Sequence, residues 1–341
     1  MKAMILAGGM STRLYPLTRE VPKPLVPVAG EPITAHVLRW LKSFGYDEIA
    51  INVHYLADAI KARFGDGSSF GVKLHYLDEH ELMGSAGAVK QLESYFTEPF
   101  VVIGCDDLTD ANLEALVAFH EKRGALATIG LVEAQEVEQY GVVVTADDGR
   151  IIEFQEKPPA GTEKSKLVNT GIYAFDPAIF AHIPGGTFFD FGKGVFPALR
   201  DANADFYGFL LNGAYWCDIG TPGEYKRATR DALAGRVHVR GARMRGIASD
   251  AHLGNDVHIE GDVRIGAGAQ LGARVRIVGP SVVGDGVTIG EDAVLERAIC
   301  WDNVTIGARA RLSDVVVGIN YDVPADTSLH DTIVANEPVI S

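Results

Sequence analysis

Leu6-Ala7-Gly8-Gly9-Met10-Ser11-Thr12-Arg13-Leu14-Tyr15-Pro16-Leu17-Thr18, with Pro22-Lys23-Pro24-Leu25-Val26-Pro27-Val28 just beyond it, decides the reading of this chain. A short apolar strand, Ala3 to Leu6, runs into it. Glycines let a backbone approach a ligand, and their exposed N–H groups cradle phosphate oxygens. Arg13 adds a rigid fork of donors. Lys23, between two prolines, is a second cation on a stiff backbone. Strand, glycine turn and two cations together predict a nucleoside triphosphate site. A Walker loop needs Gly-x-x-x-x-Gly-Lys-Ser/Thr and a dinucleotide fingerprint needs Gly-x-Gly-x-x-Gly; neither spacing is present. A tight turn with a surface Arg would leave the Pro-Lys-Pro unexplained.

Working outward, 341 residues suggest two domains, and 47% apolar residues suffice for sizeable cores. A net charge of −14 argues against a nucleic-acid partner, which would want a basic stripe. An acidic chain still binds an anionic nucleotide where its site is locally positive or holds a metal ion. Cys105, Cys217 and Cys300 are odd in number and widely spaced, so they predict neither a disulfide framework nor a zinc site. The first residues lack a signal-peptide pattern and no apolar run reaches membrane-span length. The expectation is a cytoplasmic protein with no membrane partner.

Residues 1–235 alternate strand and helix signals. Ile33, Val37, Trp40, Leu41 and Phe44 are spaced for one helix face, Glu48 to Val53 reads as a strand, Leu56 to Phe64 as a helix and Val72 to Leu77 as a strand. Pro99 to Ile103 is a fully apolar strand followed by a helix near Ala111 to Glu121. This rhythm predicts an α/β domain with a mostly parallel, Rossmann-like sheet. From Tyr140 to Gln155 a hairpin turning at Asp147-Asp148-Gly149 is predicted, the kind of insertion that walls a substrate pocket.

Residues 236–341 have another texture. Leu253, Ile259, Ile265, Leu271, Ile277, Val283, Ile289 and Leu295 recur every six residues, with Gly following at 254, 266, 272, 284 and 290. Such a period predicts a β-solenoid, one strand and one corner per hexad, the Gly relieving the corner. The register slips by one near Ile299 to Asn303 and resumes at Val304, Ile306, Ala310 and Leu312, as a bulged corner or a final irregular coil would require.

Four further segments carry chemistry. Glu79 to Gly87 is a loop entering a helix; small Gly84 and Ser85 leave room for a flat ring, and Glu81 offers a base edge an acceptor. The same residues also suit a helix start with Ser85 near its N-cap. Asp106 and Asp107 follow a buried strand, where α/β sheets bind ligands, and suit magnesium on a triphosphate or a helix cap. Glu156-Lys157-Pro158 ends the hairpin: Lys157 suits a sugar phosphate and Glu156 a sugar hydroxyl, though an exposed Glu-Lys pair is often only solvated. Asn169-Thr170-Gly171 offers polar groups to a sugar ring or is a strand edge. Asp218, in Trp216-Cys217-Asp218-Ile219-Gly220-Thr221-Pro222, is a second candidate metal carboxylate or the anion of a helix start. No Ser-His-Asp or Cys-His arrangement stands out.

In this order the segments resemble the sugar-nucleotide pyrophosphorylases, the NTP:sugar-1-phosphate nucleotidylyltransferases, many of which carry a C-terminal left-handed β-helix of hexapeptide repeats. The resemblance implies transfer of a nucleoside monophosphate from an NTP to a sugar 1-phosphate, with release of pyrophosphate. It implies that Leu6, Ala7, Gly8, Gly9, Ser11, Thr12 and Arg13 hold the triphosphate, Arg13 on the leaving pyrophosphate. Lys23 would lie near the α-phosphorus. Asp106 and Asp218 would hold Mg2+, Lys157 the sugar phosphate, and Glu156, Asn169 and Gly171 the sugar. Glu81, Gly84 and Ser85 would meet the base. Ser11 stands where the commonest loop has Gly, and Cys105 where Gly precedes the metal Asp.

Gly84-Ser85-Ala86-Gly87 is similar to the Gly-Thr-Ala-Gly loop of the guanylyltransferases acting on mannose 1-phosphate, so GTP and mannose 1-phosphate are the expected substrates. The alternatives are glucose 1-phosphate with dTTP or UTP, and heptose 1-phosphate with GTP. A homo-oligomer, dimer or tetramer, is expected from the solenoid edges. Two rival classes are an acyltransferase using His252 or His258 and a silent sugar-nucleotide-binding regulator. The uninterrupted hexads argue against the first, and the retained Arg13, Lys23 and carboxylates against the second.

Overall fold

The computed structural model describes residues 1–336. The chain forms two compact units, each discontinuous in sequence: Met1–Gly9 with Val37–Trp216, and Met10–His36 with the chain from Cys217 onward.

The first unit is built on a nine-stranded sheet. Its parallel half comprises Phe100–Gly104, Lys2–Leu6, Glu48–Val53 and Lys73–Asp78, in that spatial order. Helix α1 (Ile33–Ser43) buries Val37, Trp40 and Leu41 on one face, as their spacing predicts. Helices α2 (Ala57–Phe64) and α3 (Gly84–Lys90) follow. Helix α4 (Leu113–Arg123) starts at Asn112, whose side chain accepts the Ala115 N–H, and ends on left-handed Gly124.

The other half of the sheet, beside the parallel strands that the mostly parallel reading expects, is largely antiparallel. Leu167–Phe175 runs antiparallel to both Phe100–Gly104 and Ala127–Glu133. The predicted hairpin, Gly141–Thr145 with Ile151–Glu156, lies on this side, and its few-residue connections are too short for a parallel crossover. Phe206–Leu210 then pairs parallel with Ala127–Glu133. Helix α5 (Phe196–Asp201) follows an irregular turn at Phe191–Val195. Stacked aromatics fill the core, with Phe96 and Phe100 ring centroids 4.2 Å apart and Phe175 and Phe191 5.0 Å apart. This rigid sheet fixes the loops at the carboxyl ends of Lys2–Leu6 and Phe100–Gly104.

In the second unit, helix α6 (Pro222–Leu233) leads to the solenoid. Three parallel sheets, of six, five and five short strands, make a left-handed parallel β-helix of hexapeptide repeats. Ile265, Leu271, Ile277, Val283, Ile289 and Leu295 all point into its core. Leu253 does not: it is 44% exposed, because the first coil lacks a preceding neighbour.

The register slip is neither a bulge nor a terminal coil. Strand partners are 18 residues apart through Val278↔Glu296 and 17 apart from Val282↔Ile299 onward. One corner loses a residue: Gly279-Pro280 of one coil lies beside Arg297 of the next, and every later coil keeps the shorter length.

The repeated glycines also act differently from the expectation. The left-handed corner positions belong to Asp256, Arg274, Asp292, Arg309 and Asp326. Gly290 instead lies against the next coil, where an added Cβ would fall 2.4 Å from the Ala308 nitrogen. The glycines permit coil-to-coil backbone approach rather than an unusual φ.

Candidate active site

The first unit contributes the start of the glycine turn. Ala7 N–H donates to Asn52 Oδ1 at 2.9 Å, and Asn52 Nδ2 donates to Glu79 Oε2 at 2.5 Å. Glu79 Oε1 accepts the Met83 N–H at 3.1 Å, so one buried carboxylate ties the glycine turn to the loop before α3. A Cβ on Gly8 would lie 2.6 Å from Glu79 Oε2; Gly9 faces open space. Gly8 is therefore required by packing, and Gly9 is open to a ligand.

Around α3, Ser85 lies just inside the helix start, near the N-cap residue Met83, as the second reading of this segment expects. Asp190 caps the helix from a distance, its Oδ1 accepting the Ser85 N–H at 3.0 Å and the Ser85 hydroxyl at 3.1 Å. Phe191 N–H donates back to Ser85 Oγ at 3.0 Å, and the Phe189 carbonyl accepts from Ala86 and Gly87. A Cβ on Gly84 would lie 2.6 Å from the Phe189 oxygen, which explains the glycine. Glu81 is exposed in the preceding loop.

The adjacent aspartates have separate environments. Asp107 is buried and accepts the Trp216 indole N–H at 3.0 Å. Asp106 is less buried, and its Oδ1 would lie 2.7 Å from a Cβ on Gly104, at the carboxyl end of the central strand. Neither caps α4, which Asn112 does.

Ser85, Glu156, Lys157, Asn169 and Tyr173, far apart in sequence, meet around a cavity of about 320 Å³ that Asp190 and Lys193 also line. Asn169 Oδ1 accepts the Gly171 N–H at 2.9 Å, and Asn169 Nδ2 donates to the Tyr173 hydroxyl at 3.0 Å. Gly171 has φ +79°, so the strand turns there without strain. Burial raises the Glu156 pKa; Lys157 and Lys193 oppose the rise and Asp190 adds to it. Two ammonium groups beside hydroxyl-binding groups suit a phosphorylated sugar. Sequence reasoning missed Asp190 and Lys193; the available signal was an acid and a lysine in a glycine-rich turn, Asp190-Phe191-Gly192-Lys193.

A larger cavity of about 540 Å³, lined by Lys2, Tyr46, Glu48, Phe100 and Glu121 among others, opens at the amino ends of the same strands. None of the sequence-selected residues lines it. Open α/β sheets bind ligands at the carboxyl ends, so the smaller cavity is the candidate.

The second unit holds Arg13, Lys23 and Asp218. Ser11 adopts left-handed φ 54°, which accounts for the glycine more usual at this place. Its carbonyl accepts the Leu14 N–H and the Thr18 hydroxyl, closing a turn that presents Thr12 and Arg13 to solvent. Arg13 and Asp218 converge on Gly220: a Cβ there would be 2.7 Å from both Arg13 Nη2 and Asp218 Oδ1. Lys23 Nζ lies 3.6 Å from Asp218 Oδ1, both side chains largely buried. Helix α6 (Pro222–Leu233) is capped by Thr221, whose side chain accepts the Glu224 N–H, and Asp218 precedes that cap. Burial pushes the Cys217 thiol pKa up, leaving it an inert thiol.

Among the described residues no group of three His, Cys, Asp or Glu side chains is placed to hold a metal alone. Single carboxylates such as Asp106 and Asp218 fit magnesium's habit of sharing one or two carboxylates with substrate phosphates. Among the described residues no helix is long and apolar enough to cross a membrane.

A glycine turn at a sheet's carboxyl end, a cavity lined by two lysines and polar groups, and trailing hexapeptide coils define a class, and comparison with known proteins agrees. The nucleotidyl transferase family matches residues 2–235, and the bacterial transferase hexapeptide family, with six repeats, matches residues 262–297. The chain belongs to the nucleotidyl transferase family, in its sugar-1-phosphate branch. It is 37% identical to a UTP–glucose-1-phosphate uridylyltransferase of Synechocystis, over 88% of this chain and 82% of that one. It is 32% identical to a mannose-1-phosphate guanylyltransferase of Mycobacterium tuberculosis, over 87% and 79%. A crystal structure assigned as a glucose-1-phosphate thymidylyltransferase of Bacillus anthracis, in complex with sucrose, superposes with TM-score 0.62 at 27% identity, covering 72% of this chain and 98% of that one.

Proposed function

We propose that the protein joins GTP to mannose 1-phosphate, giving GDP-mannose and pyrophosphate. The cavity that unites Glu156, Lys157, Asn169 and Lys193 carries the sugar-phosphate half of this reading. For the base, Glu81 is exposed ahead of Gly84, and a carboxylate there accepts from guanine N1–H and the N2 amino group. The relative from Mycobacterium tuberculosis supports the same pair. A second reading, UTP with glucose 1-phosphate, is favoured by the Synechocystis relative.

In this reading a phosphate oxygen of the sugar 1-phosphate attacks the α-phosphorus of the nucleotide. The P–O bond to the β-phosphate breaks, and pyrophosphate leaves with the electron pair. The attacking oxygen is already anionic, so no general base is needed. The obstacle is bringing several negative charges together, and the chain meets it by positioning and charge. Lys157 and Lys193 hold the sugar phosphate. Lys23 neutralises charge near the α-phosphorus, and Arg13 binds the departing pyrophosphate. Mg2+, held by Asp106 and Asp218 with the phosphates, would screen the triphosphate charge.

The test is pyrophosphate release with magnesium, across GTP, UTP, dTTP, ATP and CTP paired with mannose, glucose and heptose 1-phosphates. The highest kcat/KM is expected for GTP with mannose 1-phosphate. A preference for UTP with glucose 1-phosphate establishes the second reading. No turnover with any pair sinks both and leaves a silent binding protein.

A further inference from the structure

The segment that carries Lys23 is poor in backbone donors. Pro22, Pro24 and Pro27 offer no N–H; its local bonds include Leu25 N–H to Pro22, Val26 N–H to Lys23, Ile33 N–H to Val26, the short hairpin of Pro27–Val28 with Glu31–Pro32, and the Val28 carbonyl 3.0 Å from His36 Nε2. Further support comes from residues far away in sequence but in the same compact unit.

The Pro27 carbonyl accepts the Tyr225 hydroxyl at 2.8 Å, and the Tyr225 oxygen accepts the Trp301 indole N–H at 2.7 Å. An indole nitrogen can only donate, so the tyrosine must turn its own proton toward Pro27. Tyr225 is fully buried and Trp301 is 3% exposed, so water does not compete for these bonds. Burial also raises the Tyr225 pKa, which keeps the hydroxyl a donor.

Trp301 belongs to the β-helix and Tyr225 to α6, which begins shortly after Asp218. The same helix is fastened to the β-helix by Lys226 Nζ on the Asp314 carbonyl at 2.8 Å and Arg230 on Asp314 Oδ1 at 2.7 Å. The hairpin after Pro27 makes a second contact: a Cβ on Gly30 would lie 2.0 Å from Arg264 Nε, so its turn is pressed onto a coil.

We propose that Tyr225 is a positioning residue for the reaction, and that the Trp301–Tyr225–Pro27 relay lets the β-helix set the Lys23–Asp218 geometry. The β-helix is then part of the catalytic apparatus and more than a platform for assembly. This rests on the reading that Lys23 acts on the α-phosphate.

The experiment is a kinetic double-mutant cycle in the full-length protein, using the substrate pair that the panel selects. Tyr225→Phe keeps the ring and removes the relay; its kcat is expected to fall roughly 10-fold, since small misplacements of a catalytic group are costly. KM for the sugar 1-phosphate stays unchanged, because Lys157 and Lys193 hold that substrate. Trp301→Phe, which keeps the tyrosine, shows a smaller fall in the same direction and serves if Tyr225→Phe does not fold. In a Lys23→Ala background the Tyr225 or Trp301 substitution has no further effect on kcat. Unchanged kcat in the single variants, or a loss that repeats in full in the Lys23→Ala background, overturns the inference. Full activity of Lys23→Ala itself overturns the underlying reading instead.

Discussion

The Lys23 ammonium lies 3.6 Å from the Asp218 carboxylate, with Arg13 converging on the same glycine, Gly220. Lys23 thus faces the carboxylate that is also the proposed metal ligand, and the Arg13 guanidinium approaches the same turn. Such a cluster is preorganised: its charges are held by the fold before substrate arrives, so little reorganisation accompanies the reaction.

Replacing Lys23 with Ala is expected to lower kcat by about 10²-fold, by analogy with loss of other preorganised donors. Pyrophosphate release measures it. Arg13→Ala should show a comparable loss. Turnover at the wild-type rate in either variant would contradict the role given to that residue.

Glu156 makes sugar binding pH-dependent. Burial raises its pKa, so the folded state holds this proton more tightly than the unfolded chain does. As pH falls through the raised pKa, the carboxylate that accepts sugar hydroxyls is lost, and KM for the sugar 1-phosphate should rise. Stability has the opposite sense. The contribution of the protonated group is complete below the unfolded pKa and disappears as pH rises through the folded value. Glu156→Gln should therefore flatten the KM profile on its acid limb. It should also raise Tm at neutral pH, but not at a pH below both values.

Asp314 joins the β-helix to α6, accepting from Arg297 at 2.7 Å and from Arg230 at 2.7 Å. The hydrogen bond and charge of Arg297, helped by Arg230 and Lys226, hold its carboxyl below the usual range. A depressed pKa gives stability that is present above the unfolded value and lost as pH falls through the folded one. Asp314→Ala should cost about 1 kcal/mol at neutral pH, modest because the partners are partly exposed. The difference in urea midpoint should vanish in acid.

Gly290→Ala tests the solenoid. The added methyl would enter the space of the Ala308 backbone, which cannot rotate away. A loss of roughly 1–3 kcal/mol is expected, as for overpacking elsewhere. Gly268, which has φ +64° and open space at its Cβ position, is the contrasting case. Gly268→Asn should cost less, since Asn tolerates the left-handed region. Thermal unfolding of the two variants compares them directly.

Much of the site was legible because its parts are local. The turn Gly8–Arg13, the Glu156-Lys157-Pro158 end of a hairpin and Asp218 before a helix are each a few consecutive residues whose chemistry is fixed by type and spacing. Asp190 and Lys193 escaped because an acid and a lysine in a glycine-rich turn are too common a local pattern to mark a site. Asp190 matters through Ser85, more than a hundred residues earlier in the chain. Glu79 stood within a segment singled out for chemistry, yet its role is to hold Asn52 and Met83, a partnership that sequence spacing does not show.

By itself the sequence determined the two architectures, since hydrophobic periods of helix, strand and hexad are properties of neighbouring residues. It also marked the glycine turn as a candidate phosphate site. Tertiary structure alone decided which glycines serve packing and which serve a ligand. It also decided that Leu167–Phe175 runs antiparallel to both Phe100–Gly104 and Ala127–Glu133, and that the Lys23 segment belongs to the same compact unit as the β-helix. Those outcomes depend on contacts such as Tyr225 with Pro27 and Trp301, formed by groups distant along the chain. No local pattern encodes which buried donor will find which acceptor; folding settles that by satisfying them together.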